Sequence, residues 1–114
     1  MPNPELRHAV FLDRDGTLIE EVGFCSRRED VRAFPGTRES LASLRDAGYL
    51  LVVITNQSGI GLGYFTEADF HAVNEELERQ LAPVKLDGIY FAPDTPEAVM
   101  ARGSAAGFCR RSMR

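Results

Sequence analysis

The sequence has few of the features that mark secreted, membrane or nucleic-acid-binding proteins. Cysteine is scarce: Cys25 and Cys109 are too far apart to form the closely spaced pair of a metal site. No apolar stretch approaches the roughly 18 residues of a membrane span, and the first residues lack the basic and apolar segments of a signal peptide. The formal net charge of −4 disfavours a nucleic-acid surface. These absences predict a cytoplasmic protein with free thiols and neither a nucleic-acid nor a membrane partner.

Length and composition predict one α/β domain. The chain has 114 residues and 44% hydrophobic content, which is enough for a single core. Apolar runs predict strands over 9–12, 50–54 and 88–92, and Thr37 and Thr66 are placed to cap the two helices between them. A strand-helix-strand-helix-strand order favours a parallel sheet with right-handed crossovers.

The first candidate site follows the first strand, in the sequence Val-Phe-Leu-Asp-Arg-Asp-Gly-Thr-Leu. Residues two apart in a strand share a face, so Asp13 and Asp15 address one ligand while Arg14 points away. Gly16 allows the chain to turn out of the strand. Two adjacent carboxylates repel each other, so one is protonated or bound to a cation. The alternative, a strand ending in a solvated acidic turn, is disfavoured by the apolar run before the motif and by the Gly-Thr-Leu after it.

The second candidate site follows the second strand, over Thr55 to Gly59. A hydroxyl and side-chain amides at the carboxyl end of a strand, followed by a glycine turn, are suitable donors to phosphate oxygens. An ordinary strand-to-helix turn is the alternative for this segment alone. Its expected position beside Asp13 and Asp15 favours a phosphate site.

Together these segments carry a family resemblance. The stretches 11–18 and 53–60 resemble the haloacid dehalogenase superfamily, and within it the branch of D-glycero-D-manno-heptose 1,7-bisphosphate phosphatases and histidinol-phosphate phosphatases. Four shorter segments match that branch as well: Pro35-Gly36, Ala47-Gly48-Tyr49, Gly63-Tyr64-Phe65-Thr66 and Asp87-Gly88-Ile89-Tyr90. The likeness covers about residues 8–97.

The resemblance implies a two-step phosphatase mechanism. Asp13 is the nucleophile that forms an aspartyl-phosphate. Asp15 is the general acid and then the general base. Mg²⁺ is implied as cofactor, held by the Asp13 carboxylate and the Asp15 backbone carbonyl. Thr55, Asn56 and Gln57 are implied to bind the phosphate of a small sugar phosphate.

The chain departs from the family pattern towards its end. The family completes its site with a lysine, and Arg111 stands near that place, so it is predicted to contact the phosphate although an arginine is not equivalent. The Cys-x-His that opens the branch's zinc loop reads Ala92 and Asp94 here, which predicts no zinc. The chain also ends before the strand that supplies the family's later acidic metal ligand.

The implied fold is a HAD-like, Rossmann-like three-layer α/β structure, with helices on both faces of a parallel sheet. The chain is expected to contain its N-terminal half to two-thirds. Residues 1–97 are interpreted as the N-terminal part of the phosphatase domain, and residues 98–114 as a basic, poorly ordered tail. Without its further strands, the strand over 9–12 becomes an exposed apolar edge, which predicts self-association through it.

Three functional interpretations stay open at this point. The first is a Mg²⁺-dependent phosphatase of a heptose 1,7-bisphosphate. The second keeps this chemistry but changes the substrate to histidinol phosphate or another small phosphomonoester. The third is a non-catalytic remnant that binds phosphate or a partner chain, which the absent acidic ligand favours.

Overall fold

The sheet organises the part of the chain that a computed structural model describes, residues 6–94 and 110–112. Three parallel strands, β1 (Ala9–Leu12), β2 (Leu50–Asn56) and β3 (Gly88–Ala92), lie side by side in chain order. A short strand, β4 (Arg110–Arg111), pairs antiparallel with β3. The three predicted strands are confirmed, and β2 extends two residues beyond its predicted end to include Thr55 and Asn56.

The crossover segments carry the helices. Helix α1 (Thr37–Asp46) connects β1 to β2. The short helix α2 (Ser58–Gly61) and the longer helix α3 (Glu67–Leu81) connect β2 to β3. A 3-10 turn (Arg28–Asp30) interrupts the loop before α1.

The two long helices begin in different ways. The predicted cap of α3 is confirmed: Asp69 N donates to Thr66 Oγ1 at 3.1 Å, and Thr66 N donates to Asp69 Oδ2 at 2.9 Å. The predicted cap at Thr37 is wrong. Gly36 is the N-cap, with a left-handed φ of 84°, and the Thr37 hydroxyl donates to the Leu18 carbonyl at 3.4 Å instead. The Thr37 hydroxyl therefore bonds to the carbonyl of a residue far away in the chain and not to the backbone of its own helix.

One face of the sheet is covered by helices and carries the core. Along β2, Leu51, Val53 and Thr55 are buried, and Leu51 and Val53 belong to the same core as apolar side chains of α1 and α3. Parallel strands moving in one direction across a sheet place right-handed crossovers on the same face, which explains why α1 and α3 contact each other. The α3 members of this core are Phe70, Val73, Leu77 and Leu81.

The opposite face of the sheet is open among the described residues. The side chain of Ile54 is 46% exposed, and that of Phe11, which lies beside Val52 in the register of β1 and β2, is 66% exposed. Within the same described part of the chain, β1 pairs with β2 on one side and has no strand on the other. β1 is therefore the exposed apolar edge that the sequence predicted, whereas helices were expected on both faces and the described residues place them on one.

The segment predicted as a poorly ordered tail, 98–114, falls largely outside the described residues. Within it the structure describes residues 110–112, and the pair Arg110–Arg111 forms β4 beside β3. The boundary predicted at residue 97 also lies outside the described residues. No helix in the described ranges is long and apolar enough to cross a membrane.

Candidate active site

The two predicted motifs meet at the carboxyl ends of β1 and β2. The cleft between them has a volume of about 210 Å³. Its lining consists of Asp13, Asp15, Glu21, Gly23, Phe24, Thr55, Asn56, Gln57 and Ser58. Neighbouring parallel strands end at the same edge of a sheet, where open α/β sheets bind their ligands. All predicted site residues except Arg111 are thus brought together.

Asp13 is the accessible acid of the pair. It follows β1 directly and is exposed, and its Oδ1 accepts a hydrogen bond from the Arg14 backbone N at 2.8 Å. The chain then turns sharply at Gly16, whose φ of +83° belongs to the left-handed region that favours glycine. Gly16 N donates to Ile19 O at 2.8 Å and closes this turn. The turn leaves the Asp13 carboxylate at the mouth of the cleft.

Asp15 is held more firmly, with 17% of its side chain exposed. Its Oδ2 accepts from Arg14 Nε at 3.2 Å and from Gln57 Nε2 at 2.9 Å. Its Oδ1 accepts from Arg14 Nη2 at 3.3 Å. The carboxylate is thus fixed by a guanidinium on one side and an amide from the neighbouring strand's end on the other.

The structure corrects the sequence prediction for Arg14. Its guanidinium does not stay away from the site but contacts Asp15, and the residue is fully buried. On its far side Nη1 donates to Asn74 Oδ1 at 3.0 Å, and the group lies 5.3 Å from the centre of the Phe70 ring. An arginine inside an apolar strand motif needs a buried partner, which is the signal that could have indicated this contact. The role of Asn74 had no comparable signal in the sequence.

Thr55 and Gln57 are both buried at the end of β2. Gln57 Nε2 donates to Thr55 Oγ1 at 2.8 Å as well as to Asp15. Since Thr55 Oγ1 accepts this bond, its own hydroxyl proton is left to donate elsewhere. The side chain of Asn56 is exposed in the cleft. The second motif therefore presents one hydroxyl and one amide to a ligand, while the Gln57 amide connects the two motifs.

An aromatic group closes one side of the cleft. The Phe24 ring lies 4.7 Å from the Tyr64 ring and 6.4 Å from the Phe65 ring, between ring centres. Gly59 lets these rings approach, since a Cβ there would lie 2.4 Å from Phe65. Sequence reasoning missed Phe24 and Glu21 as lining residues, because the loop that carries them has no periodic pattern.

A buried thiol lies beneath the acidic pair. Cys25 is 1% exposed and is a free cysteine. Burial raises the pKa of its thiol, and the nearby Arg14 charge opposes that rise only partly. Cys25 is therefore an apolar packing residue of the core rather than a nucleophile of the cleft.

Arg111 lies away from the cleft. Its guanidinium is 5.9 Å from the centre of the Tyr90 ring and donates to the Asp87 carbonyl at 3.5 Å, at the amino end of β3. The cleft lies at the opposite, carboxyl end of the strands. The antiparallel pairing of β4 with β3 sets this position, which sequence spacing does not reveal.

Two of the residues at the family's zinc-loop positions, Ala92 and Asp94, lie within the described ranges. Ala92 is buried in the sheet and Asp94 is half-buried beyond it. Over 6–94 and 110–112, no three or more histidine, cysteine or acidic side chains are grouped to hold a metal ion. The acidic pair in the cleft offers only oxygen ligands, which suit a hard cation such as Mg²⁺ better than zinc.

Comparisons with known proteins agree on one group. No family model matches the chain. A D-glycero-beta-D-manno-heptose-1,7-bisphosphate 7-phosphatase of Haemophilus ducreyi is 46% identical over 94 residues, which cover 80% of this chain and 52% of the relative. A similar enzyme of Yersinia pestis is 38% identical over 107 residues, covering 92% of this chain and 57% of the relative. The chain thus spans about half the length of the curated relatives it matches.

A solved structure shows the same likeness in three dimensions. The crystal structure of D,D-heptose 1,7-bisphosphate phosphatase from B. bronchiseptica, complexed with magnesium and phosphate, matches with a TM-score of 0.74 and 31% identity. The match covers 79% of this chain and 52% of that chain. Fold and cleft thus define an α/β protein with a HAD-like fold. Over the part that it spans, the chain is similar to proteins of the haloacid dehalogenase superfamily.

Proposed function

We propose that this chain provides the nucleophile and phosphate-binding half of a Mg²⁺-dependent phosphatase acting on a sugar bisphosphate of the D-glycero-D-manno-heptose 1,7-bisphosphate type. The observation that carries the proposal is the meeting of Asp13 and Asp15 with Thr55 and Asn56 in one cleft. The names of the relatives support the substrate. A cytoplasmic location is part of the same proposal and rests on composition alone.

Asp13 is proposed to attack phosphorus, because it is the exposed carboxylate of the pair. A bond forms between its oxygen and phosphorus as the bond to the sugar oxygen breaks, and protonated Asp15 gives its proton to that leaving oxygen. Water then attacks the aspartyl-phosphate, loses a proton to Asp15 and releases phosphate. The sum is hydrolysis of one phosphate ester, with both acids restored.

Thr55 and Asn56 are proposed to orient the transferred phosphoryl group. The Thr55 hydroxyl proton and the Asn56 amide are the donors that the end of β2 leaves available. Charge accumulates on the phosphoryl oxygens, so fixed donors contribute by electrostatic positioning. Gln57 is proposed to act through Asp15, since its amide nitrogen is shared between Asp15 and Thr55. Arg111 is left out of the proposal because of its position at the amino end of β3.

The donor chemistry of the cleft fits Mg²⁺. The Asp13 carboxylate is accessible, and the resemblance adds the Asp15 backbone carbonyl as a second oxygen ligand. The Asp15 carboxylate is a poorer ligand, because Arg14 and Gln57 already occupy both of its oxygens. When bound, the cation would neutralise charge on the phosphate and on Asp13.

The test is phosphate release from heptose 1,7-bisphosphate and from histidinol phosphate, measured side by side with Mg²⁺ and with a chelator. We expect Mg²⁺-dependent turnover that prefers the bisphosphate, and its loss in Asp13→Asn. Asp46→Asn is the matched control, since Asp46 is an exposed acid at the end of α1. A preference for histidinol phosphate would mean that this ester, and not the heptose bisphosphate, is the substrate. Phosphate binding without turnover would indicate a non-catalytic remnant, and normal turnover by Asp13→Asn would contradict the mechanism.

A further inference from the structure

The fully buried guanidinium of Arg14 is the most unusual charge in the described part of the chain. A buried cation is tolerated only when it is paired and hydrogen-bonded. Its ion-pair partner is Asp15, with Nη2 3.1 Å from Oδ2. The surface arginines, such as Arg28 and Arg79, pair with glutamates in solvent instead. The charge of Arg14 is therefore directed at the acid of the cleft.

The contact between Arg14 and Asp15 is a two-pronged fork. Arg14 Nε donates to Oδ2 at 3.2 Å and Nη2 donates to Oδ1 at 3.3 Å, so both carboxylate oxygens are hydrogen-bonded to the guanidinium. Gln57 adds a second donor to Oδ2 at 2.9 Å. Within the described part of the chain Oδ1 accepts only the longer bond, so it is the oxygen with capacity left for proton exchange.

The fork is itself anchored from helix α3. The third guanidinium nitrogen, Nη1, donates to Asn74 Oδ1 at 3.0 Å, and the Phe70 ring packs 5.3 Å away from the group. Asn74 is 4% exposed, and its Nδ2 has no hydrogen-bond partner among residues 6–94 and 110–112. An amide with one unsatisfied buried end costs stability. The contribution of Asn74 is its side-chain carbonyl oxygen, which accepts the hydrogen bond from Arg14.

We propose that Arg14 is a positioning residue that sets the orientation of the Asp15 carboxylate, and that Asn74 holds Arg14 in place. Arg14 does not touch the substrate. It directs Oδ1 of Asp15 towards proton exchange with the leaving group and with water, a role that rests on the proposed phosphatase function. Helix α3, outside the cleft, thereby controls the acid-base step.

The kinetic test compares phosphate esters with poor and good leaving groups. Arg14→Lys keeps the charge but loses the fork, and Asn74→Leu removes the anchor. We expect kcat/KM for an alkyl phosphate to fall by about 10- to 100-fold in Arg14→Lys, since misplacing a catalytic group by about 1 Å costs on that order. For p-nitrophenyl phosphate, which needs little proton donation, the loss should be several-fold smaller. Arg28→Lys, at a solvent-exposed ion pair with Glu75, should change neither.

A second measurement needs no turnover. In the NMR spectrum of the unmodified chain, the Arg14 Nε–H signal should exchange slowly with water, in contrast to that of exposed Arg79. At one fixed pH, Asn74→Leu should shift the Asp15 carboxyl carbon more than that of Asp13. A chain that shows these signals but no hydrolysis refutes the proposed function and leaves the Arg14–Asp15 fork supported.

Two results would overturn the positioning role. One is an equal loss on both classes of ester in Arg14→Lys, which is the behaviour of a merely structural residue. The other is an Arg14 Nε–H signal that exchanges as fast as that of Arg79. The second result is decisive even where a variant fails to fold, because it uses the unmodified chain.

Discussion

The two faces of the sheet differ more in solvent exposure than in the types of residue that line them. Both are lined by aliphatic and aromatic side chains of the same strands. On the covered face Leu51 and Val53 are fully buried beneath α1 and α3. On the open face Phe11 and Ile54 leave about half or more of their surface exposed within the described residues. A continuous apolar strand therefore indicates two faces suited to burial, but only the helices that are present decide which face supports the fold.

The contacts that hold the acidic pair also differ between the covered face and the open face. Asp15 is held from the covered side through the guanidinium of Arg14, which in turn donates to the side-chain oxygen of Asn74 on α3. Nothing described on the open face contacts the acidic pair. A substitution that destabilises the covered face is thus expected to disturb the geometry of the cleft as well. A substitution on the open face is expected to change self-association.

The largest expected effect is on the covered face. Leu51→Ala should lower the free energy of unfolding by about 2–5 kcal/mol, because it leaves a cavity in a close-packed core. Ile54→Ala, on the same strand but the open face, should cost less than about 1 kcal/mol. Urea unfolding of both variants checks this difference. Equal losses would mean that the open face is buried in solution.

An intermediate effect is expected on association through the open face. If β1 pairs with another copy, Phe11→Lys should weaken self-association by about tenfold or more, since burying a phenylalanine contributes about 1.5–3 kcal/mol. Leu6→Lys is the control, because Leu6 is similarly exposed but precedes the strand. Sedimentation velocity over a range of concentrations measures this. An unmodified chain that stays monomeric and melts cooperatively would refute the predicted self-association.

The smallest effect is expected at Glu76 on α3, the helix that covers the buried face. Hydrogen bonds from Arg79, and then from Gln80, lower the pKa of Glu76 to about 2 from its ordinary value of 4.5. A lowered folded-state pKa means that the carboxylate stabilises the fold above pH 4.5 and loses this contribution as the pH falls towards 2.

Thermal melts of the unmodified chain and of Glu76→Gln should therefore differ most near neutral pH and converge as the pH falls towards 2. Glu67→Gln, at the first turn of the same helix, tests whether any lost charge gives this pattern. A difference in melting temperature that is constant from pH 7 to pH 2 would show that the Glu76 ion pair contributes nothing.

Local patterns were sufficient for most of the scaffold. The strand preceding Asp13 has its predicted bounds, because four apolar residues before an acidic glycine turn have few alternatives. The cap at Thr66 was predictable since all its hydrogen bonds form within four residues. The start of α1 was not, because the Thr37 hydroxyl finds a partner 19 positions earlier in the chain.

The sequence by itself determined the strand order, the acidic pair and the hydroxyl-amide motif, since these depend on residue type and short spacing. Tertiary structure alone decided that Arg14 returns to Asp15, that Asn74 anchors it from 60 residues away, and that Arg111 lies at the other end of β3. The physical reason is that a buried charged side chain, or the backbone of an edge strand, takes its hydrogen-bond partners from the groups that the packed core brings near. Spacing along the chain does not encode those partners.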